Sequence, residues 1–209
     1  AVVSGHPSLV TRTGYTGEQI GYELFVHPDR SVELWNKLIQ IGQPYGMKPC
    51  GLGARDSLRT EAGLPLYGHE MGGELNLGTS EAGFSWFVKR HKPWFIGRTA
   101  FLERETKREG NIVRFRFDEK RTRLAHLGDP VVDERGKVVG TVTSCAIDTE
   151  GSLTGQAYVL DKYTKEDTPI LIYQSTPSSG GKALGQLQTG DRVTLPSRAT
   201  VISRYPKRS

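Results

Sequence analysis

From Asn111 onward the chain consists of short β-like runs separated by turns: IVRFRF, PVVDERGKVVGTVTSC, GQAYVL, PILIY, DRVTL and ATVIS. No convincing helical spacing interrupts them, which confines this part of the chain to antiparallel sheet. Six or so short strands bury their apolar faces by closing on themselves or by stacking as two sheets, so a small antiparallel barrel or sandwich is predicted over residues 111–209. IVRFRF shows the alternation that such a structure needs: Val113, Phe115 and Phe117 turn inward, Arg114 and Arg116 outward. DERG reads as a hairpin connection and TPSSGGKALG as a flexible loop.

Residues 1–110 have a different texture. GYELFVH alternates as a half-buried strand, with Tyr22, Leu24 and Val26 on one side and Glu23, Phe25 and His27 on the other. SVELWNKLIQIG places apolar residues at 32, 34, 35, 38, 39 and 41, close to helical spacing, with Asp29 or Ser31 as candidate N-cap and Gly42 as the stop. A second helix begins near Ala54 and stops at Gly63, ahead of Pro65, and a third covers 97–108 with basic residues in its last turn. The fold class is therefore α+β, with a boundary near residue 110. A chain of 209 residues has room for two domains of that size.

Several function classes drop out on composition. No apolar run approaches the roughly 20 residues that span a bilayer, and the N-terminal AVVSGHPS has no basic region followed by an apolar one, so a soluble, unsecreted chain is expected. Cys50 and Cys145 are the only cysteines and belong to no metal-ligand spacing, so neither a disulfide framework nor a zinc site is expected, and isolated thiols suit a reducing cytoplasm. Cys145 reads as a small hydrophobe in a strand, and His69, with no nucleophile beside it in sequence, as structural. Charge is uneven: Phe87 to Arg123 carries twelve Lys or Arg against five Asp or Glu. Such a stretch suits an acidic protein, a polyanionic ligand tail or nucleic acid.

The segment TGYTGEQIGYELFV, residues 13–26, brings Glu18 and Glu23 close to Gly14, Gly17 and Gly21. Glycine tolerates positive φ and lets other groups approach the main chain, so the cluster marks tight turns or a ligand lying against the backbone. Glu23 is held on a strand, Glu18 on a loop.

GYTGE at 14–18, GYE at 21–23, PCGLGARDSLRTEAGLPLYGHE at 49–70, EAGFSWFVK at 81–89 and FIGRTAF at 95–101 together resemble the aminomethyltransferase family, the T protein of the glycine cleavage system and its folate-dependent relatives. Order and spacing match over nearly the whole chain, most weakly over the last 90 residues. In that family GYTGE lies near the middle of the protein, so the chain resembles its C-terminal portion only. The resemblance implies an incomplete folate-binding α/β domain over 1–110, followed by the family's C-terminal β-barrel domain over 111–209. It implies too that the ferredoxin-like part and the catalytic aspartate belong to an N-terminal segment missing here.

By the same resemblance Tyr15, Glu23 and Arg55 fall on positions that line the site for tetrahydrofolate. A reduced pterin presents an N–H and an exocyclic amine side by side, and a carboxylate accepts both, which favours Glu23 as the clamp. Arg55 would meet Glu23 or the ligand. GEQIGYE holds one residue more between its glutamates than the usual family pattern. The implied reaction moves a one-carbon unit from an aminomethylated lipoyl arm on an acidic carrier, the H protein, to N5 of tetrahydrofolate. Two alternatives stand beside it: a folate-dependent demethylase of a small methylated substrate, and a non-catalytic folate-binding or tRNA-modification module. The cysteine-containing signature of the last group is absent from this sequence, which argues against nucleic acid as a partner.

Overall fold

The computed structural model describes residues 1–174 and 195–206; TPSSGGKALG and all of DRVTL but Leu195 lie outside the described residues. Packing divides the chain into two compact units, Ala1–Arg59 and Thr60–Ser209.

The first unit holds an antiparallel sheet of β1 (Val2–Val3), β2 (His6–Thr11) and β3 (Glu23–Val26), in that order, and helix α1 (Pro28–Gly42). β2 and β3 pair from Ser8 opposite Val26 to Thr11 opposite Glu23. Along β3 Leu24 and Val26 are half-buried while Glu23 and Phe25 are exposed, the division that the alternation predicts. Neither Asp29 nor Ser31 caps α1. The helix starts earlier because Pro28 fits a first helical position, where no N–H donor is needed, and the His27 ring accepts the Asp29 N–H at 3.4 Å. Helix α2 (Leu52–Glu61) begins two residues before Ala54.

In the second unit α3 (Arg98–Thr106) precedes a closed antiparallel barrel. Its strands are β4 (Gly110–Phe117), β5 (Pro130–Val132), β6 (Val138–Ile147), β7 (Leu153–Leu160), β8 (Pro169–Ile172) and β9 (Ser197–Ile202). Around the barrel they run β4-β7-β6-β5-β8-β9, and β9 returns to β4 through pairs from Arg114–Ile202 to Phe117–Ala199. Val113, Phe115 and Phe117 fill the interior with Val131, Val142, Val159, Ile170, Ile172 and Val201. Phe115 needs a glycine opposite it: a Cβ on Gly155 would stand 2.4 Å from the Phe115 ring. DERG is the expected hairpin connection, closed by Asp133 N–H to the Lys137 carbonyl at 2.9 Å.

Arg114 corrects one expectation. It leaves the barrel interior, yet it is buried, because residues 60–83 cover that outer face. Its guanidinium donates to the Glu61 carbonyl at 3.0 Å, and burial lowers its pKa from the ordinary guanidinium value. By the same covering, residues 60–109 pack with the barrel as one compact unit.

Asp148 ties the β6–β7 turn. Its buried carboxylate accepts the Ser152 N–H at 2.8 Å, the Glu150 N–H at 3.0 Å, the Thr154 hydroxyl at 2.8 Å and Arg116 at 3.0 Å. Burial pushes its pKa up, but these donors outweigh it and hold the carboxyl below its ordinary value. A depressed carboxylate contributes stability that is present above the unfolded pKa of about 4 and is lost as pH falls through the folded value. Asp148→Asn is expected to destabilise the barrel by roughly 1–3 kcal/mol at pH 7 and by clearly less at pH 3. Urea unfolding of both chains at the two pH values checks this; an equal loss at both would show that the charge is not what the turn uses.

Candidate functional site

The β2–β3 connection brings its own side chains back onto β3. Gly17 takes φ +90°, a conformation that a side chain would strain, and the connection folds tightly enough that a Cβ on Gly21 would lie 3.1 Å from the Thr13 carbonyl oxygen. Thr13, thereby returned to the end of the ladder, donates its hydroxyl to Glu23 Oε2 and lies 2.7 Å from the Thr11 hydroxyl. Glu23 is thus a strand-end carboxylate on the exposed side of the sheet, oriented by a threonine. A carboxylate has acceptor positions for several donors, so this contact leaves capacity for a ligand.

Tyr15 and Arg55 meet. The Arg55 guanidinium carbon lies 5.9 Å from the centre of the Tyr15 ring, within cation–π reach. Arg55 is exposed on α2 and is not the partner of Asp56, which pairs with Arg59 at 2.7 Å one turn on. The three expected residues therefore lie in one unit as an oriented carboxylate and an aromatic–guanidinium pair, and Thr13 rather than Arg55 engages Glu23. Among the described residues no group of His, Cys, Asp and Glu is arranged to hold a metal.

A second polar cluster escaped sequence reasoning. Thr143 is the extra residue of a β-bulge: Val142 faces Ala157, and the next pair is Ser144 with Gln156. The bulge breaks the two-residue period, so Val142 and Cys145 both pack on the core while Ser144 turns to the outer face. There its hydroxyl donates to Glu70 Oε1 at 2.5 Å, and Glu70 Oε2 accepts the Leu66 N–H at 2.9 Å. His69 Nδ1 lies 3.4 Å from the same hydroxyl, but the proton that a base would remove is already given to Glu70. Gln156, opposite Ser144, donates to the Leu64 carbonyl at 3.0 Å and accepts from Arg204 at 2.5 Å. Glu70 and Gln156 are fully buried. This row fastens residues 61–83 to the barrel, and its nearest sequence signal was the Glu70 that ends LYGHE. Cys145 packs as expected, with burial pushing its thiol up to about 11.

Comparison with known proteins agrees with this architecture. Residues 1–92 match the family described as the GCVT N-terminal domain. An aminomethyltransferase of Chloroherpeton thalassium is 38% identical over 171 residues, which are 81% of this chain and 46% of that protein. One of Thermoanaerobacter pseudethanolicus is 53% identical over 103 residues, 49% of this chain and 27% of that protein. The crystal structure of the glycine cleavage system aminomethyltransferase T of Bartonella henselae superposes with a TM-score of 0.73 at 26% identity, covering 93% of this chain and 48% of that one. The chain belongs to the aminomethyltransferase family. It spans about half the length, or less, of these relatives.

Proposed function

We propose that the chain is the C-terminal half of a tetrahydrofolate-dependent aminomethyltransferase of the glycine cleavage type. Residues 1–110 belong to its folate-binding domain and residues 111–209 form its β-barrel domain. The reaction passes a one-carbon unit from an aminomethylated lipoyl arm on the acidic H protein to N5 of tetrahydrofolate and releases ammonia. Cytoplasm is the compartment in this reading. No described helix is long and apolar enough to cross a membrane.

The observation that carries the reading is the Glu23 end of β3. A carboxylate fixed on a strand, exposed, and oriented through Oε2 by Thr13 fits the paired N–H donors of a reduced pterin. Tyr15 offers a ring, and Arg55, 5.9 Å from the centre of that ring, a cation for the anionic part of the same ligand. Glu23, Tyr15 and Arg55 bind and orient the folate; the aspartate expected to handle the proton lies in the other half of the protein.

Glu23→Gln in the full-length protein is expected to weaken tetrahydrofolate binding by roughly 1–3 kcal/mol, the scale of one charge-assisted pair, with little effect on folding. Calorimetric titration with wild-type affinity for the variant would remove Glu23 from the clamp. A donor screen with folate-coupled detection separates aminomethyl transfer from demethylation of a small substrate.

A further inference from the structure

Behind Glu23, in the first unit, stand two hydroxyls whose protons can run in only one direction. Thr13 donates to Glu23 Oε2, and the Thr13 and Thr11 oxygens lie 2.7 Å apart. A hydroxyl has one proton, an ionised carboxylate has none to give, and Thr13 has already given its own to Glu23. Thr11 is therefore the donor of the second bond, and the relay runs from Thr11 to Thr13 to Glu23. Each bond in such a relay polarises the next, so the carboxylate at its end is held more firmly than by one isolated hydroxyl.

The backbone puts the three side chains in line. Thr11 pairs with Glu23 across the β2–β3 ladder, so their side chains leave the same face of the sheet. Thr13 lies two residues on from Thr11, the spacing that returns a side chain to that face. The neck of the connection holds Thr13 from the other side: a Cβ on Gly21 would lie 3.1 Å from the Thr13 carbonyl oxygen and 3.5 Å from the Gly14 Cα. All of these contacts are made within residues 11–23, and a threonine placed by them needs little ordering when a ligand arrives.

We infer that Thr13, backed by Thr11, is the positioning residue that makes the Glu23 end of β3 selective for a ligand edge with two adjacent N–H donors. The inference rests on the tetrahydrofolate reading and deepens it. A carboxylate has about four acceptor positions. Thr13 fills one on Oε2 and fixes the plane of the group, so Oε1 and the remaining position of Oε2 together accept a paired edge. A ligand that puts a carbonyl oxygen or a ring-nitrogen lone pair there sets acceptor against acceptor, because the nearest proton is held between Thr13 and Glu23. A carboxylate free to rotate would accept a single donor from many angles and would discriminate poorly between such edges. Thr13 thus acts through Glu23, on which ligand is bound.

The test uses the full-length protein and calorimetric titration with tetrahydrofolate and with its 2-desamino analogue, which lacks the exocyclic amine. Thr13→Val exchanges the hydroxyl for a methyl at nearly the same shape. It is expected to weaken tetrahydrofolate about tenfold and the analogue by no more than about twofold, so that the wild-type preference between them narrows. Thr13→Ser restores the hydroxyl and is expected to stay within about threefold of wild type, and Thr11→Val is expected to weaken tetrahydrofolate about two- to threefold. In the Glu23→Ala background Thr13→Val is expected to have no further effect, since the group that it orients is gone. Thermal melting checks the fold of each variant. Wild-type affinity for Thr13→Val, no rescue by Thr13→Ser, or an equal loss with and without Glu23 would overturn the inference while the tetrahydrofolate reading stands. If the wild-type protein does not bind tetrahydrofolate, or if Glu23→Ala binds it as well as wild type does, the clamp itself falls and this inference with it.

Discussion

Residues 1–209 purified alone are expected to show no detectable aminomethyl transfer and at best weak tetrahydrofolate binding. A protein restored to its relatives' full length is expected to show both. The chain spans 46% of the Chloroherpeton relative and 48% of the Bartonella structure. General acid–base help contributes about 10²–10⁴-fold, and holding two reactants in register contributes still more. Under the proposed function, a polypeptide that supplies Glu23, Tyr15 and Arg55 without the expected aspartate forfeits both, and the residues proposed to meet folate stay in water. Glu23 is exposed and Arg55 is exposed, so a folate held by them alone would keep much of its solvent shell and gain little from each contact. Turnover assays on residues 1–209, on the full-length protein, and on 1–209 with the upstream segment added separately make the comparison. Robust turnover by residues 1–209 alone would mean that the acid–base group lies in this half or that the chemistry is different.

The barrel was legible because a strand with one buried face writes its period into the sequence. IVRFRF alternates and became β4, and the short β-rich runs GQAYVL and ATVIS, set between turns, became β7 and β9. What alternation cannot show is a second layer. Arg114 reads as a solvent-facing residue on any two-period pattern, and only the three-dimensional return of residues 61–64 over that face buries it. The bulge at Thr143 was invisible for the same reason, since TVTSC keeps its β propensity whether or not one residue is unpaired. The hairpin β1–β2 was missed although its turn, Ser4–Gly5 with φ of 49° and 84°, has the positive dihedrals of a two-residue connection. Its first strand has only two residues, too few to show a period.

Around the proposed site, the face on which Glu23 lies was legible and the contacts of Glu23, Tyr15 and Arg55 were not. Glu23 could be placed on a face because the strand around it alternates, and the extra residue in GEQIGYE did not turn it inward. That Thr13 would engage the carboxylate, and that Arg55 would lie over Tyr15, depends on the path of a glycine-rich connection that no periodic signal describes. Asp56 and Arg59 illustrate the difference: an i,i+3 pair follows from helix geometry alone, whereas adjacent Arg55 and Asp56 point apart on any helix.

Glu70→Ala is expected to cost about 3–5 kcal/mol of stability, the largest effect of any single polar substitution named above. The carboxylate has no solvent exposure, and its loss takes an acceptor from the Ser144 hydroxyl and from the Leu66 N–H in a buried place, while opening a cavity. Glu70→Gln keeps one carbonyl oxygen for one of those donors and is expected to cost roughly 1–3 kcal/mol. Ser144→Ala should cost a similar amount, because it removes a donor from a buried carboxylate. The two sites share one hydrogen bond, so Glu70→Ala combined with Ser144→Ala should cost at least about 1 kcal/mol less than the sum of the single changes. Urea unfolding of residues 1–209 and the three variants measures all four states. A loss below about 1 kcal/mol for Glu70→Ala, or strict additivity of the pair, would mean that residues 61–83 are held to the barrel by something other than this row. If the expected coupling is found, the bulge at Thr143 has its explanation in stability: shifting the period by one residue is what carries Ser144 out of the apolar interior and onto Glu70.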